Sequence, residues 1–432
     1  MQIDLAKISK SDNKIQYELH IPRPLKKYFL NDSSYVQYDD IIDSRNIHNS
    51  ILAIPIVSVL APVAWAVGAD VRVPELDANY LQSLKRIKEV FRRFPYPFSF
   101  TGDVCAENEF MNEFGGKRAG VLFSGGVDSL ASYLRHKQEK PDLISICGLP
   151  DIPPFEQEFR SRIHRDMLTL ANHDGISAFQ VKTDMLMNLN QELLTREFGV
   201  WWYPHVAVGL FLLSLCAPIT SSRGIRTVFI ASSFVEGQEG HLGTHPSTDN
   251  IVSWADVHVV HDGYELSRQQ KLRFLCQEEN LPYVSNLRVC NETARAWKTN
   301  CGNCEKCMRT IVGLLLEGVD PSKCNFAIDA KTFSFFRDCF LKGRIAPSPA
   351  QLFIWQDMQK HVPEEISIDI QGSREFLIWL KNYDLLKYRP NKLRLFLGNT
   401  ARLYRNGRMK TPYLTRKIKC YLYIVLSRLK LL

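Results

Sequence analysis

Little in this chain is suited to secretion, fibre formation or life in a bilayer. It has no internal repeat, no low-complexity tract and no long Gly/Ser linker, so domain divisions must be read from changes in hydrophobic pattern. The opening residues, MQIDLAKISKSDNK, are polar and charged and lack the apolar core of a secretory signal. The eleven cysteines are therefore expected as thiols or metal ligands in a reducing cytoplasm, not as disulfides. Long uncharged runs are scarce. Ile51 to Gly68 reaches 18 residues, the lower limit for a membrane span, but Pro55 and Pro62 interrupt it. Val206 to Ile219, at 14 residues, has the length of a buried helix, and no membrane association is expected. Acids are missing from the C-terminal end: Lys387 to Leu432 holds thirteen Lys/Arg and no Asp/Glu. The formal charge of +8 is thus concentrated there, and the rest, with 41 bases against 46 acids, is net acidic. That end reads either as a surface for nucleic acid or an acidic protein, or as a basic helix covering its own acidic body.

The 432 residues, 45% hydrophobic and 23% charged, suit a globular chain of two or three domains. Residues 1–115 mix short strand-like runs such as IQYELHIP with an amphipathic helix, Asn79 to Phe94, whose Leu81, Leu84, Ile87 and Val90 recur at helical spacing. They read as an N-terminal accessory domain. From Ala119 the rhythm changes: AGVLFSGG, DLISICGL, ISAFQVKT and IRTVFIASS read as strands separated by helical segments. Such alternation predicts an α/β fold for residues 116–320, a doubly wound parallel sheet with helices on both faces, binding ligands at the carboxyl ends of its strands. Residues 321–432 read as a mostly helical, basic extension.

Two motifs carry chemistry. Ser124-Gly125-Gly126-Val127-Asp128-Ser129 lies between the first of these strands and its helix, where backbone N–H groups and a helix N-terminus converge on an anion. The glycines allow a sharp turn and a close approach of bare amides to phosphate oxygens, and Ser124 and Ser129 add hydroxyl donors. Asp128 would act through a bound Mg2+ ion or by capping the helix. The lysine of a Walker loop is absent. The second motif is Cys290-x10-Cys301-Gly-Asn-Cys304-Glu-Lys-Cys307, four thiolates able to wrap one tetrahedral ion. An iron–sulfur cluster, a redox CxxC and a sulfur-relay site compete with closed structural Zn2+, which Arg295, Lys298, Lys306 and Arg309 favour by offsetting thiolate charge. Cysteines 105, 147, 216, 276, 324, 339 and 420 are scattered, as buried side chains or free thiols.

The string FSGGVDS at the end of a first strand is similar to the signature of the PP-loop ATP pyrophosphatases. Followed about 160 residues later by C-x(n)-CGxCxxC, it resembles the 7-cyano-7-deazaguanine synthase family over roughly residues 117 to 320. The resemblance implies a PP-loop (HUP-like) domain that cleaves ATP to AMP and pyrophosphate, adenylating the carboxylate of 7-carboxy-7-deazaguanine for attack by nitrogen. It implies that Ser124, Gly125, Gly126, Val127, Asp128 and Ser129 hold the phosphates and that the four cysteines hold structural Zn2+. The family's YPDCR-like substrate segment is missing, and this chain has about 115 residues before the loop and about 110 after the cysteines. Gly240 to Asp249, His261-Asp262-Gly263 and Ser267 to Lys271 stand in that region. With Asn300 to Thr310 they resemble a longer branch from bacterial antiphage islands, thought to attach a deazaguanine to a partner protein. The nucleophile would then be a partner's amine.

The residues themselves support named roles. His245 and Asp249 would orient a nucleophile or bind the heterocycle, and Arg268 and Lys271 would stabilise charge on the transferring phosphate. Ser232 and Ser233, with Gly148 and Asp151, would line the adenosine pocket by their position at strand ends. Simpler readings stand beside these: turn or cap residues for His245 and Asp249, an exposed helix face for Arg268 and Lys271. Two rival functions remain open, a PP-loop tRNA-modifying enzyme using the basic end for phosphate contacts and a catalytic cysteine, and a non-catalytic nucleotide-binding adaptor.

Overall fold

The computed structural model describes residues 1–149, 152, 157–238, 242–290, 300–345, 347–366 and 368–389. Asp151, Gly240, His241, Arg295, Lys298, Cys420 and the basic segment from residue 390 onward lie outside the described residues. The chain separates into two compact units, one formed by residues 1–124, 135–232 and 241–262, the other by 125–134, 233–240 and 263–432.

The first unit holds one large, mostly parallel sheet of eleven strands. In chain order they are β1 (Gln2–Ser11), β2 (Lys14–His20), β3 (Ser33–Gln37), β4 (Asp70–Asp77), β5 (Val104–Phe110) and β6 (Arg118–Leu122), then β7 (Asp142–Cys147), β8 (Ala178–Thr183), β9 (Ile225–Ala231), β10 (Ser253–Trp254) and β11 (Val257–Asp262). Across the sheet the order is β10-β11-β9-β6-β7-β8-β3-β2-β1-β4-β5. The block β8-β7-β6-β9-β11 is parallel throughout. Every residue of β7 is buried, as a strand covered on both faces requires. From β6 the chain steps outward to β7 and β8, then returns to the other side of β6 for β9 and β11. The direction of winding therefore reverses between β6 and β9, and in open α/β sheets ligands gather beside such a reversal at the strands' carboxyl ends.

The segment before β6 shares this sheet. Strand β3 pairs antiparallel with β8, Val36 opposite Thr183 and Gln37 opposite Lys182. An outer parallel strand presents unpaired N–H and C=O groups, and covering β8 with β3 removes that edge. Beyond β3 come the β1–β2 hairpin and the parallel strands β4 and β5.

The long apolar segment forms a buried helix, Ile54–Val67, ended by Gly68 in the left-handed conformation at φ 66°. Pro62 lies inside this helix and does not break it, contrary to the expected interruption, while Pro55 occupies its first turn where no N–H is needed. Close packing around Pro62, which is buried, compensates the lost hydrogen bond. The amphipathic segment forms the helix Ala78–Arg93, with Leu81, Leu84 and Ile87 buried. Among the described residues one stretch, Tyr203–Arg223, is long and apolar enough to cross a membrane, and 72% of its apolar window is buried inside the protein.

The second unit is helical in its described residues, with helices at Arg268–Leu275, Glu305–Leu316, Thr332–Leu341, Pro349–Lys360 and Ser373–Asn382. Phe333, Phe336, Phe340, Trp355 and Phe376 are buried among them and meet largely edge-on.

In the first unit one buried acid ties three strand starts together. Asp142 accepts hydrogen bonds from Arg118 Nη2 at 2.7 and 2.8 Å and from the Ser177 backbone N–H at 3.0 Å. Asp142→Ala leaves that amide without its acceptor and is expected to cost about 2 kcal/mol in urea denaturation.

Candidate functional site

The Ser124 to Ser129 segment turns from β6 into the helix Val127–Arg135, as its strand-turn-helix pattern predicts. Gly125 lies in the left-handed region at φ 74°, a conformation that a side chain disfavours, and its carbonyl accepts from the Arg288 N–H at 2.8 Å. Ser129 is buried and its hydroxyl donates to the Gly126 carbonyl at 3.2 Å, closing the loop on itself. Val127 is fully buried, and Ser124 is exposed.

Asp128, in the first turn of that helix, organises the second unit's polar centre. Arg268 Nη1 donates to its Oδ2 at 2.9 Å, and Lys271 Nζ stands 3.7 Å from its Oδ1. Arg268 and Lys271 are 9% and 3% exposed, so their helix presents them inward, not on a solvent face. Ser267 starts that helix in a capping box with Gln270. The helix reaches Glu305–Leu316 through Gly313, where a Cβ would come within 2.3 Å of Leu272 Cδ1. Gln269 seals the contact by donating to the Gly313 carbonyl at 3.0 Å and to Glu317 Oε1 at 2.6 Å. Arg268 Nη2 also donates to Thr310 Oγ1 at 3.2 Å.

Burial would raise the Asp128 carboxyl, but Arg268, Lys271, Lys306 and Arg309 override it and hold it down at about 2. Burial, and then the Arg268 guanidinium beside it, push Arg309 below its ordinary value. Burial raises Glu305, against the pull of Arg309. Arg268, Lys271, Lys306 and Arg309 thus stand near Asp128 and Glu305, with the Cys304 thiol also acting on Arg309. Asp128 Oδ1, Arg268 Nε and Arg309 Nε are buried without a hydrogen-bond partner. The site borders a small cleft, with free space of about 20 Å3, lined by Asp128, Arg268 and Lys271, by Ser267 and Asp357, and by apolar Phe353 and Ile354 among others.

The four cysteines of the second motif converge in the same unit. Their Sγ atoms all lie within 4.8 Å of one another, with Cys290 to Cys304 at 4.0 Å and Cys301 to Cys307 at 3.8 Å. A tetrahedral thiolate site with bonds of about 2.3 Å has edges of about 3.8 Å, so the set can hold one metal ion. Asn300 fixes the two ligand segments, accepting from the Val289 and Cys290 N–H groups and donating to the Leu287 and Asn325 carbonyls. The Cys304 and Cys307 N–H groups point at Cys301 Sγ and Cys304 Sγ, at 3.3 and 3.4 Å. Cys304 caps the helix Glu305–Leu316. Of the other described cysteines, Cys105 is exposed, Cys276 half-buried and the rest buried, all as free thiols.

His245, Asp249, Ser124 and Ser232 belong to the first unit. His245 Nδ1 accepts from the Ser247 N–H at 3.1 Å and caps the short helix Pro246–Asp249. Asp249, 1% exposed, accepts from Thr244 Oγ1 at 2.6 Å and pairs with His261 Nδ1 at 2.8 Å. Gly209 makes that burial possible: its N–H donates to the Gly243 carbonyl at 2.7 Å, and a Cβ there would lie 2.4 Å from Asp249 Oδ1. Ser232 is buried, its N–H donating to the Asp262 carbonyl at 2.8 Å. Sequence reasoning named Lys306 and Arg309 only as counter-charges to thiolates and did not single out Glu305, Asp357 or His261 as site residues. The Glu305/Arg309 spacing of four on one helix was the available signal.

No family model matches the chain, and no curated protein or solved structure is significantly similar to it.

The depressed Asp128 carboxyl stabilises the fold above the ordinary carboxylate range, and that contribution is lost as pH falls through its folded value. Asp128→Asn is expected to flatten the acid-side loss of stability between pH about 4 and about 2, by about 2 kcal/mol in urea titrations across that range.

Proposed function

We propose that this chain is a PP-loop enzyme that cleaves ATP to AMP and pyrophosphate to activate a carboxylate for attack by nitrogen, with 7-carboxy-7-deazaguanine as the acid. The observation that carries the reading is the gathering of two buried cations, Arg268 and Lys271, on Asp128 directly after a glycine turn. The parallel order β8-β7-β6-β9-β11, with that turn leaving β6 beside the reversal, fits a PP-loop (HUP-like) domain.

In this reading the Gly125–Gly126 turn and the start of the Val127–Arg135 helix receive the phosphates, with Ser124 and Ser129 beside them. Arg268 and Lys271 stabilise the charge that builds on the α-phosphate as the acid's oxygen attacks it and pyrophosphate leaves. Mg2+ would be held by Asp128 Oδ1, the carboxylate oxygen that has no hydrogen-bond partner, and would supply charge neutralisation between phosphate oxygens. Zn2+ is the ion for the four cysteines: the thiolate set is closed, and its work is to fix the start of the Glu305–Leu316 helix. The acceptor of the activated acyl group is ammonia or the amine of a partner protein, the latter in keeping with a role in antiviral defence.

Exchange of labelled pyrophosphate into ATP, dependent on 7-carboxy-7-deazaguanine, tests the first half of the reaction, and mass spectrometry of the products with ammonium or a candidate partner protein tests the second. Lys271→Ala and Arg268→Ala, each assayed at a temperature where circular dichroism shows the variant folded, are expected to lower exchange by about 100-fold or more. Exchange at wild-type rates in both variants would remove the cation cluster from the chemistry. The folded chain is expected to carry one zinc per molecule by elemental analysis, and Cys304→Ala to lose the metal together with much of its thermal stability. A folded, zinc-free Cys304→Ala that still exchanges pyrophosphate would leave the structural role of the ion without support.

A further inference from the structure

We propose that Asp357, on the helix Pro349–Lys360, seats the nitrogen nucleophile, so that the segment after the cysteines builds the acceptor side of the pocket; this rests on the activation reading above. The cleft has two carboxylates of different standing. Asp128 is engaged by Arg268 at 2.9 Å and is surrounded by cations. Asp357 is 17% exposed, and its Oδ2 accepts from the Ser267 hydroxyl at 2.8 Å. The imidazole nearest to it, His361, has Nδ1 3.7 Å from Oδ1 and 2.8 Å from the Asp357 carbonyl oxygen.

Asp128 is paired with Arg268 and Lys271, whereas Asp357 has no Arg or Lys ion pair among the described residues. The Asp357 carboxylate attracts a donor or a cation, and a protonated amine is both. Phe353 and Ile354, four and three residues before Asp357 on the same helix and so about one turn from it, give an apolar wall for the amine's carbon chain. Position is fixed from two sides. Ser267, which holds Asp357, immediately precedes Arg268 and caps its helix. On the other side, Glu305 accepts from Trp355 Nε1 at 3.0 Å and from Gln351 Nε2 at 3.2 Å, locking the Asp357 helix to the residue that follows Cys304.

The amine attacks as its free base, once the ammonium held at Asp357 has given a proton to water. The C–N bond forms as the C–O bond to AMP breaks, AMP leaves with the bonding electron pair, and the surplus proton on the new amide nitrogen passes to the Asp357 carboxylate.

The probe is methylammonium, titrated into the full-length protein and read by saturation-transfer NMR without ATP. Saturable binding by wild type, at least ten-fold weaker in Asp357→Asn and restored in Asp357→Glu, is expected. Absence of binding to wild type, equal binding by Asp357→Asn, or no recovery in Asp357→Glu would overturn the assignment. Pyrophosphate exchange is measured on the same samples. Exchange within two-fold of wild type in Asp357→Asn, with KM for methylamine raised at least ten-fold in amide formation, separates this role from a structural one; a parallel fall in both would refute it. No exchange in wild type strikes the activation reading alone, and methylammonium binding still judges Asp357.

Discussion

Everything in the second unit is arranged around one costly object, the buried carboxylate of Asp128 among four cations. Taking charges out of water is expensive, and a cluster of this kind adds little stability that well-packed apolar side chains would not supply. The geometry depends on close approach: Gly313 lets the Arg268–Leu275 helix lie against Glu305–Leu316, and Gln269 fastens the two, so that Arg268 reaches both Asp128 and Thr310. A side chain at 313 would force Leu272 and Gln269 to shift.

The cysteine cluster enters the same arrangement through a single helix. Cys304 caps it, Cys307 is in its first turn, and Glu305, Lys306, Arg309 and Thr310 follow within two turns. An ion held by the thiolates would therefore set the rotation of a helix that presents two cations and a hydroxyl to the centre and Glu305 to Trp355 and Gln351. A metal with no part in bond-making can still control the pocket, because it fixes the frame on which the charged side chains are hung.

Local pattern made much of this legible. Apolar runs of strand length alternating with helical segments predicted β6 to β9, and the cysteine spacing predicted that four thiols meet at a common point. Local pattern could not disclose the rest. Pairing of β3 with β8 joins residues about 145 apart and covers a sheet edge, so the leading segment shares the sheet. Asp357 reaches Ser267 across 90 residues and no motif marks it. The burial of Arg268 and Lys271 depends on the partner helix, since one short amphipathic segment does not say what will cover it. Pro62 is tolerated because tertiary packing outweighs a local preference.

The contrast between two acids, Asp249 and Asp128, shows how an open polar centre differs from a closed one. In the first unit Asp249 is saturated: Thr244, Thr248 and His261 all bond to its oxygens, and the network pins the loop after Gly243 against Gly209. Buried polar networks that are closed in this way rigidify a fold and leave nothing for a ligand to satisfy. Asp128 is different. Its Oδ1 has no hydrogen-bond donor, nor do Arg268 Nε and Arg309 Nε have acceptors, although all three atoms are buried. Groups left in that state cost stability, and a fold keeps them where a partner arriving from outside completes the set. By that criterion an incoming ligand would complete the Asp128 cluster, whereas the Asp249 network is the frame of its own loop.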